Sequence, residues 1–254
     1  MNGDISFAPD AEVRVHAEGA IRHLCAPFRS HEDGLPEWIK NGSDAYARLD
    51  TPPSEAFILV LLQDGKSGGP ALIGCLDFGG MSTLDIENKF RHWADPTAAG
   101  DEEGVEGGHG NGGKCYMTQL FDQYSYIHTC LDGRASRYGF KGGSATPGYF
   151  PSREKGRGAS VADPQAELAS VLKPFGLKLS DLPVGARNLF DKRKSFTIVV
   201  GVSAKNLQRG RIPATRWVDS LRGHPQMVRP IQRNQIIVYQ NGHQVGGADP
   251  LSYC

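Results

Sequence analysis

The chain has 254 residues, 39% of them hydrophobic, which is enough for one large domain, or one domain and part of a second, with a substantial core. Lysine and arginine together number 28, as do aspartate and glutamate, and this balance excludes a global field that would attract the protein to nucleic acid or membranes. The longest apolar run, 56–62, is too short to span a bilayer, and the N-terminus lacks signal-peptide features, so we expect a cytoplasmic protein without membrane contact.

The cysteines form an odd set without a C-x-x-C pair: Cys25, Cys75, Cys115, Cys130 and Cys254. Reduced thiols are the usual state of such a set in a cytoplasmic protein, so we expect free cysteines. The histidines show no metal-ligand spacing, and a zinc site is not expected.

In the first part of the chain, apolar periodicity and turn residues predict two helices, two buried strands and a third helix. These elements cover 17–28, 36–49, 56–62, 71–76 and 84–93. Pro36 suits the first turn of the second helix, and Ser82 is the expected cap of the third. The second strand ends at Asp77-Phe78-Gly79-Gly80.

The remaining chain begins with a loop over 94–113 that is rich in glycine and acidic residues. The predicted elements after it are a helix over 114–123, a hairpin over 124–131 and 134–140, a helix over 166–172, a strand over 196–202, a helix over 215–221 and a strand over 235–239. Asp132-Gly133 is a favourable hairpin turn. The order of the elements predicts an α+β sandwich with helices on one face of a mixed, mostly antiparallel sheet.

A polar stripe on the second helix is the first candidate for a functional site. Glu37, Asn41 and Asp44 lie at positions i, i+4 and i+7, so they share one helix face. Asn41 offers a neutral oxygen for a hard cation, and Glu37 lies one turn earlier, where it could act on a water molecule. Taken alone, this stripe is more typical of a solvated helix face.

Two glycine-containing segments follow downstream. Asp77 stands at a strand end before Gly79 and Gly80, where its carboxylate could accept a hydrogen bond from a ligand amine. Taken alone, this segment is more typical of a simple Asp-containing turn. The second segment, 107–114, has glycines and Lys114 at the start of a helix, and the N–H groups there suit a phosphate. A flexible glycine linker is the alternative for that segment.

In this order, the three segments resemble the Bergerat-fold (GHKL) ATPases, which include gyrase B, the large heat-shock chaperones, MutL, MORC proteins and histidine kinases. The first motif of that family, E-x-x-x-N-x-x-D-A, is matched without a gap by Glu37, Asn41, Asp44 and Ala45. The second, D-x-G-x-G before Met, is one residue shorter here, as Asp77, Gly79, Gly80 and Met81.

The glycine-rich lid end of the family is similar to Gly110-Asn111-Gly112-Gly113-Lys114, and its late-strand threonine is similar to Thr197. The resemblance covers about residues 15 to 204. It implies an ATP-binding domain of the Bergerat type over residues 1–204, followed by a C-terminal extension over 205–254 in which a transducer domain could begin.

The resemblance also implies ATP and Mg²⁺ as cofactors and a role for each matched residue. Asn41 would ligate Mg²⁺, and Glu37 would activate the attacking water. Asp77 would bind the adenine amino group with support from Thr197. The other implied nucleotide-site residues are Asp44 and Ala45 on the helix, Gly79, Gly80 and Met81 in the turn, and Gly110, Asn111, Gly112, Gly113 and Lys114 at the phosphates.

The expected function is Mg-dependent ATP hydrolysis that drives a conformational change or homodimerisation. One alternative is a nucleotide-gated binding module with little turnover, which the shortened second motif allows. Another is a histidine-kinase-type phosphotransferase, which would need a phosphoacceptor histidine. A nucleic-acid or client-protein partner stays open, because the C-terminal part is locally rich in arginine.

Overall fold

The computed structural model describes residues 17–65, 69–93, 111–203, 214–247 and 249–252. The helices are α1 Ala17–Cys25, α2 His31–Arg48, α3 Thr83–Arg91, α4 Gly112–Gln119, α5 Arg153–Gly156, α6 Pro164–Leu172, α7 Val184–Arg193, α8 Ala214–Gly223 and α9 Val228–Arg233. The strands are β1 Phe57–Gln63, β2 Ala71–Asp77, β3 Tyr124–Leu131, β4 Arg134–Lys141, β5 Pro147–Tyr149, β6 Ala159–Ser160, β7 Phe196–Ser203, β8 Gln235–Gln240 and β9 His243–Val245. Across these ranges, no helix is long and apolar enough to cross a membrane.

The strands form one sheet in the order β5-β4-β3-β7-β2-β1-β8-β9, with β6 beside β4. The pairing of β1 with β8 is parallel, and the other strand pairings of the described residues are antiparallel. The sheet is therefore mixed and mostly antiparallel, and the predicted α+β class is confirmed. The hairpin of β3 and β4 is also confirmed, and its turn uses positive φ angles at Asp132 (50°) and Gly133 (68°).

Both faces of the central strands are buried, so β1 and β2 are apolar almost throughout. One face is covered by α2 and α4, which carry the predicted site. The opposite face contacts Phe175, whose ring lies 2.7 Å from the position that a Cβ on Gly74 would take. On the same face, a Cβ on Gly185 of α7 would lie 2.5 Å from Phe57. The expected helical face is present, and a second layer is added on the other side of the sheet.

The predicted start of α2 was wrong. The helix begins at His31 because Ser30 caps it, with the Ser30 hydroxyl accepting a hydrogen bond from the Asp33 N–H. Pro36 therefore lies inside the helix and not in its first turn. The predicted Ser82 cap of α3 is confirmed, since its side chain accepts from the Asp85 N–H. Three helices and three short strands were not predicted: α5, α7, α9, β5, β6 and β9.

The expectation of free cysteines is corrected at one pair. Cys25 of α1 and Cys115 of α4 form a disulfide with a Cα–Cα distance of 4.8 Å. The two residues are 90 positions apart, so local spacing gave no sign of the pairing. Cys75 and Cys130 are buried and free, and Cys254 lies outside the described residues.

The C-terminal segment from Ala214 onward packs against α2 and continues into the central sheet. The Trp217 ring of α8 lies 6.3 Å from the His31 ring. Asn234 Nδ2 donates a hydrogen bond of 2.7 Å to the Ser43 hydroxyl, and both side chains are buried. β8 then adds to the edge of β1. The predicted boundary between residues 204 and 205 stays a prediction.

Candidate active site

The candidate site begins with the polar residues of α2. Glu37 is half-buried, Asn41 is exposed, and Asp44 is buried at 6% exposure. The helix is held over the ends of β1 and β2 by Tyr46, whose hydroxyl donates to the Phe57 carbonyl at 2.5 Å. The same hydroxyl accepts from the Phe78 N–H at 2.9 Å. This pair of hydrogen bonds fixes α2 beside the residue that ends β2.

That residue is Asp77, which faces α2 directly. A Cβ added at Gly42 would lie 3.5 Å from both Cβ and Oδ2 of Asp77, so the two elements approach closely at a glycine. The other carboxylate oxygen, Oδ1, accepts from the Gly79 N–H at 2.8 Å. The predicted residues Asp77, Asp44 and Ala45 thus belong to one local arrangement of α2 and the β2 turn.

Two threonines lie beside Asp77 on neighbouring strands. Asp77 is the Cα partner of Thr197 in β7, and Thr197 is the Cα partner of Thr129 in β3. The two hydroxyl oxygens are 3.2 Å apart. The Thr129 hydroxyl also accepts from the Met81 N–H at 2.8 Å, and so holds the turn after Asp77. Thr197 was predicted, whereas Thr129 was missed because its role arises only from strand pairing.

The turn after β2 is shaped by its glycines. A Cβ on Gly79 would lie 3.3 Å from Cβ of Ala45, so the turn rests against the C-terminal half of α2. Gly80 has a φ of 74°, which favours glycine, and it lies close to the β3 end at Cys130. The predicted Gly79, Gly80 and Met81 are therefore brought together with Asp77, despite the shortened motif.

Burial gives Asp77 an unusual charge state. Removal from water raises the pKa of the Asp77 carboxyl from its usual 3.8 to about 7, although the Gly79 N–H and the charges of Arg193 and Lys89 oppose the shift. Neither cation was predicted as a partner of Asp77. Arg193 also lies near α2, since its guanidinium is 5.7 Å from the Tyr46 ring.

Lys89 of α3 is a cation whose charge interacts with the carboxylates of Asp77 and Asp44. Burial and the charge of Arg48 lower the pKa of Lys89, against the opposite effect of Asp85, Asp77 and Asp44. The lysine side chain as a whole keeps substantial solvent exposure, so the shift is screened by solvent. A lysine in the last turn of an amphipathic helix has no motif around it, which is why sequence reasoning missed it.

The first turn of α4 lies directly on the polar face of α2. A Cβ on Gly112 would come within 2.2 Å of Glu37 Oε2, and one on Gly113 within 2.7 Å of Asn41 Nδ2. The Trp38 indole N–H donates to the Gly113 carbonyl at 3.1 Å. A side chain at either position would displace the end of Glu37 or of Asn41. Asn111, next to this turn, is buried at 9% exposure, and Gly110 lies outside the described residues.

Lys114 is the predicted residue whose placement differs most from a phosphate contact. Its ammonium donates to the Lys89 carbonyl at 2.9 Å and to the His92 carbonyl, at the C-terminal end of α3. It also lies 4.8 Å from the Trp93 ring. In this arrangement, Lys114 joins α4 to α3, where a cation is favoured by the helix dipole.

No protein-family model matches the chain. No curated protein sequence matches it either. Among solved structures, the ATPase region of Saccharomyces cerevisiae topoisomerase II matches with a TM-score of 0.42 and 16% identity, over 83% of this chain and 47% of that one. The same region bound to ICRF-187 (dexrazoxane) matches with a TM-score of 0.43 and 16% identity, over 84% of this chain and 49% of that one.

TM-scores below 0.5 support no assignment of a role to any residue. The chain spans about half the length of the solved structures that it matches. This chain is thus similar to the ATPase region of yeast topoisomerase II over about half of that region, and the roles of its residues depend on the geometry described above.

Proposed function

We propose that this chain binds ATP with Mg²⁺ between α2, the end of β2 and the first turn of α4, and that it hydrolyses the nucleotide with Glu37 as the general base. One observation carries the proposal: three separate segments approach one another closely at glycines. Gly42 faces Asp77, Gly112 contacts Glu37, and Gly113 contacts Asn41. Close backbone approach of this kind is typical of sites that bind a nucleotide.

Adenine recognition is assigned to Asp77. Its Oδ1 is engaged by the Gly79 N–H, so Oδ2 is the oxygen proposed to accept a hydrogen bond from the adenine amino group. Thr197 and Thr129 supply neighbouring hydroxyls on the same face of the sheet. Gly79 and Gly80 keep the turn free of side chains beside the ring. Ala45 and Met81 add apolar surface there.

The residues fit Mg²⁺ as an ion held mainly by phosphate. In the described part of the chain, no group of three His, Cys, Asp or Glu side chains could hold a metal, so no protein cage is present there. Asn41 is an exposed amide beside the α4 turn, and Mg²⁺ commonly uses one or two protein oxygens with phosphates and waters. When bound, the ion would neutralise charge on the phosphates.

Phosphate binding is assigned to the start of α4. The N–H groups of Gly112 and Gly113 open this helix, where anions are favoured. Gly110, Asn111 and Lys114 stay predicted phosphate contacts. For Lys114, contact with phosphate would require its ammonium to leave the carbonyls of α3. Such an exchange would couple the nucleotide to the position of α3.

The Glu37→Ala variant tests the assignment of the base. Loss of a general base lowers turnover by about 10²- to 10⁴-fold, while the nucleotide contacts of Asp77 and α4 are kept. We therefore expect phosphate release to fall by that range and the Kd of a nonhydrolysable ATP analogue to change by less than about threefold. Glu55→Ala is the control, because Glu55 is an exposed residue paired at the surface with Lys192. Turnover like that of the wild type in Glu37→Ala would exclude Glu37 as the base.

A second candidate function is a nucleotide-gated binding module with little turnover. The engagement of Lys114 with the α3 carbonyls favours it, because that ammonium is directed to protein oxygens. Calorimetry distinguishes the two functions. Tight ATP binding without phosphate release would favour the module, and steady phosphate release would favour the ATPase. Light scattering with and without the ATP analogue tests the expected homodimerisation.

A further inference from the structure

The proposed base has a hydrogen-bond partner from far along the chain. Gln226 Nε2 donates to Glu37 Oε1 at 2.8 Å. Gln226 lies in the 3-10 helix Pro225–Met227, outside every motif that pointed to the site. The other oxygen, Oε2, lies against the first turn of α4 at Gly112. The two oxygens of Glu37 therefore have different surroundings.

The backbone that carries Gln226 is well anchored. Met227 is completely buried, and the Gln226 N–H donates to His224 Nδ1 at 3.3 Å. Farther along, the buried hydrogen bond from Asn234 to Ser43 ties α9 to α2. The amide of Gln226 thus extends from a fixed backbone to a carboxylate on the helix against which that backbone packs.

A glutamate base needs a defined carboxylate plane, because its side chain has three rotatable bonds. A hydrogen bond to one oxygen restricts the last of them and leaves the second oxygen to accept a proton. A neutral amide does this without the strong attraction of a cationic partner, which would make the carboxylate a weaker base. Gln226 provides such a donor to Oε1, whereas Oε2 is the oxygen beside Gly112.

We propose that Gln226 is a positioning residue for Glu37: its amide holds Oε1, so that Oε2, at the start of α4, is the oxygen that takes the proton from the attacking water. This inference rests on the proposed function. Gln226 makes no contact with nucleotide in this role and acts only through Glu37. The opposite role, in which the hydrogen bond blocks the base, predicts faster turnover once it is removed.

The experiment compares Gln226→Ala with Gln226→Glu, which keeps the shape of the side chain but lacks the donor. Loss of one hydrogen bond to a charged group predicts a fall in kcat of about 3- to 30-fold in Gln226→Ala. Gln226→Glu should lose at least as much, since it places a second carboxylate beside Glu37. The Kd of a nonhydrolysable ATP analogue should change by less than about twofold in both variants.

Gln244→Ala is the matched control. Gln244 is also a glutamine of the C-terminal segment and lies in β9. Its amide donates to the carbonyl of Gly247, just after that strand, at 2.9 Å. This variant should keep the kcat of the wild type. In a Glu37→Gln background, Gln226→Ala should cause no further loss, because the base on which it acts is absent.

The outcomes separate the inference from the proposed function. A wild-type protein that binds ATP without hydrolysing it would overturn both. If the wild type hydrolyses ATP, a kcat that is unchanged or raised in Gln226→Ala would overturn the inference alone. So would full activity in Gln226→Glu, or a further loss in the Glu37→Gln background. Melting temperatures identify any variant that fails to fold. If Gln226→Ala fails to fold, the kcat of Gln226→Glu alone tests the inference.

Discussion

Burial of Asp77 brings the pKa of its carboxyl close to neutral pH. Its pKa of about 7 means that protonated and ionised forms are both populated under physiological conditions. The ionised form is the better acceptor for an adenine amine, and it is also the form that burial disfavours. Arg193 and Lys89 partly offset that cost. The ionised form of Asp77, the residue proposed to recognise adenine, therefore lowers the stability of the folded state.

The cost predicts a dependence of stability on pH. An unfolded aspartate titrates near 4 and folded Asp77 near 7, so between these values the folded state holds a proton that the unfolded state releases. The contribution of Asp77 to stability should therefore fall as pH rises from about 4 to about 7. Asp77→Asn removes this titration, and we expect it to exceed the wild type in stability by about 1–3 kcal/mol at about pH 8 and to differ little near pH 4.

Urea unfolding at both pH values checks the prediction, with Asp50→Asn as an exposed control. A difference between Asp77→Asn and the wild type that is the same at both pH values would contradict it. The variant should meanwhile bind ATP more weakly, because an amide nitrogen or a weaker carbonyl acceptor replaces the carboxylate. Higher stability together with weaker ATP binding in Asp77→Asn would indicate that the Asp77 carboxylate serves binding and does not stabilise the fold.

Single residues also show how far sequence reasoning extends. Spacing on one helix identified Glu37 and Asn41, and order along the chain connected them to Asp77 and Thr197. Spacing does not reveal Thr129 or Gln226, since each reaches the site through contacts between elements that are distant in sequence. Lys114 was recognised as a cation at a helix start, but its partners on α3 follow from tertiary packing.

At the scale of elements, α4 is positioned by aromatic packing against α2. A Cβ on Gly34 would lie 2.1 Å from the Tyr116 ring, so the helices approach closely there. The Tyr116 and Trp38 rings are 4.4 Å apart, and Trp38 also binds the Gly113 carbonyl. The first turn of α4, with Gly112 and Gly113, thus belongs to a helix that this packing fixes against the polar face of α2.

This packing predicts a strong local effect of Gly112→Ala. The new Cβ would lie 2.2 Å from Glu37 Oε2 and 2.5 Å from its Cδ, so the carboxylate or the helix start must move. We expect kcat to fall by about tenfold or more, since small displacements of catalytic groups are costly. Global stability should change by less than about 1 kcal/mol, because alanine also favours the helix.

Gly148→Ala in β5 is the control, as nothing lies within 4 Å of its added Cβ. Phosphate release and thermal unfolding of the two variants provide the comparison. Equal turnover in Gly112→Ala and Gly148→Ala would show that the Glu37 carboxylate does not need its place against α4.

Element prediction succeeded where the periodic signal was long and failed where packing decides. β1, β2, β3, β4, β7 and β8 were recognised within a residue or two. α7 was missed because few of its side chains are buried, namely Ala186, Leu189 and Phe190. α9 has only six residues and includes Pro230, so its helical form depends on packing between β8 and α2.

For the molecule as a whole, segments near both ends of the described chain contact the site helices. The C-terminal segment runs along α2 and adds β8 to β1, so residues proposed for catalysis are supported by chain that follows the last motif. At the other end, α1 is joined to α4 through the disulfide of Cys25 and Cys115. The helix that begins with the glycine turn is therefore fastened to the N-terminal helix.

This covalent link gives the last prediction. A disulfide that closes a loop of 90 residues stabilises a protein by about 2–5 kcal/mol, mainly by restricting the unfolded chain. The oxidised wild type should therefore melt at a higher temperature than the reduced protein, whereas Cys115→Ser should be insensitive to reductant. Cys25→Ser should behave in the same way. Thiol titration of the unfolded wild type should find two more reactive thiols after reduction than before. Equal thiol counts and equal melting temperatures would mean that the five cysteines are all free, as their spacing alone had indicated, and that noncovalent packing holds α1 on α4.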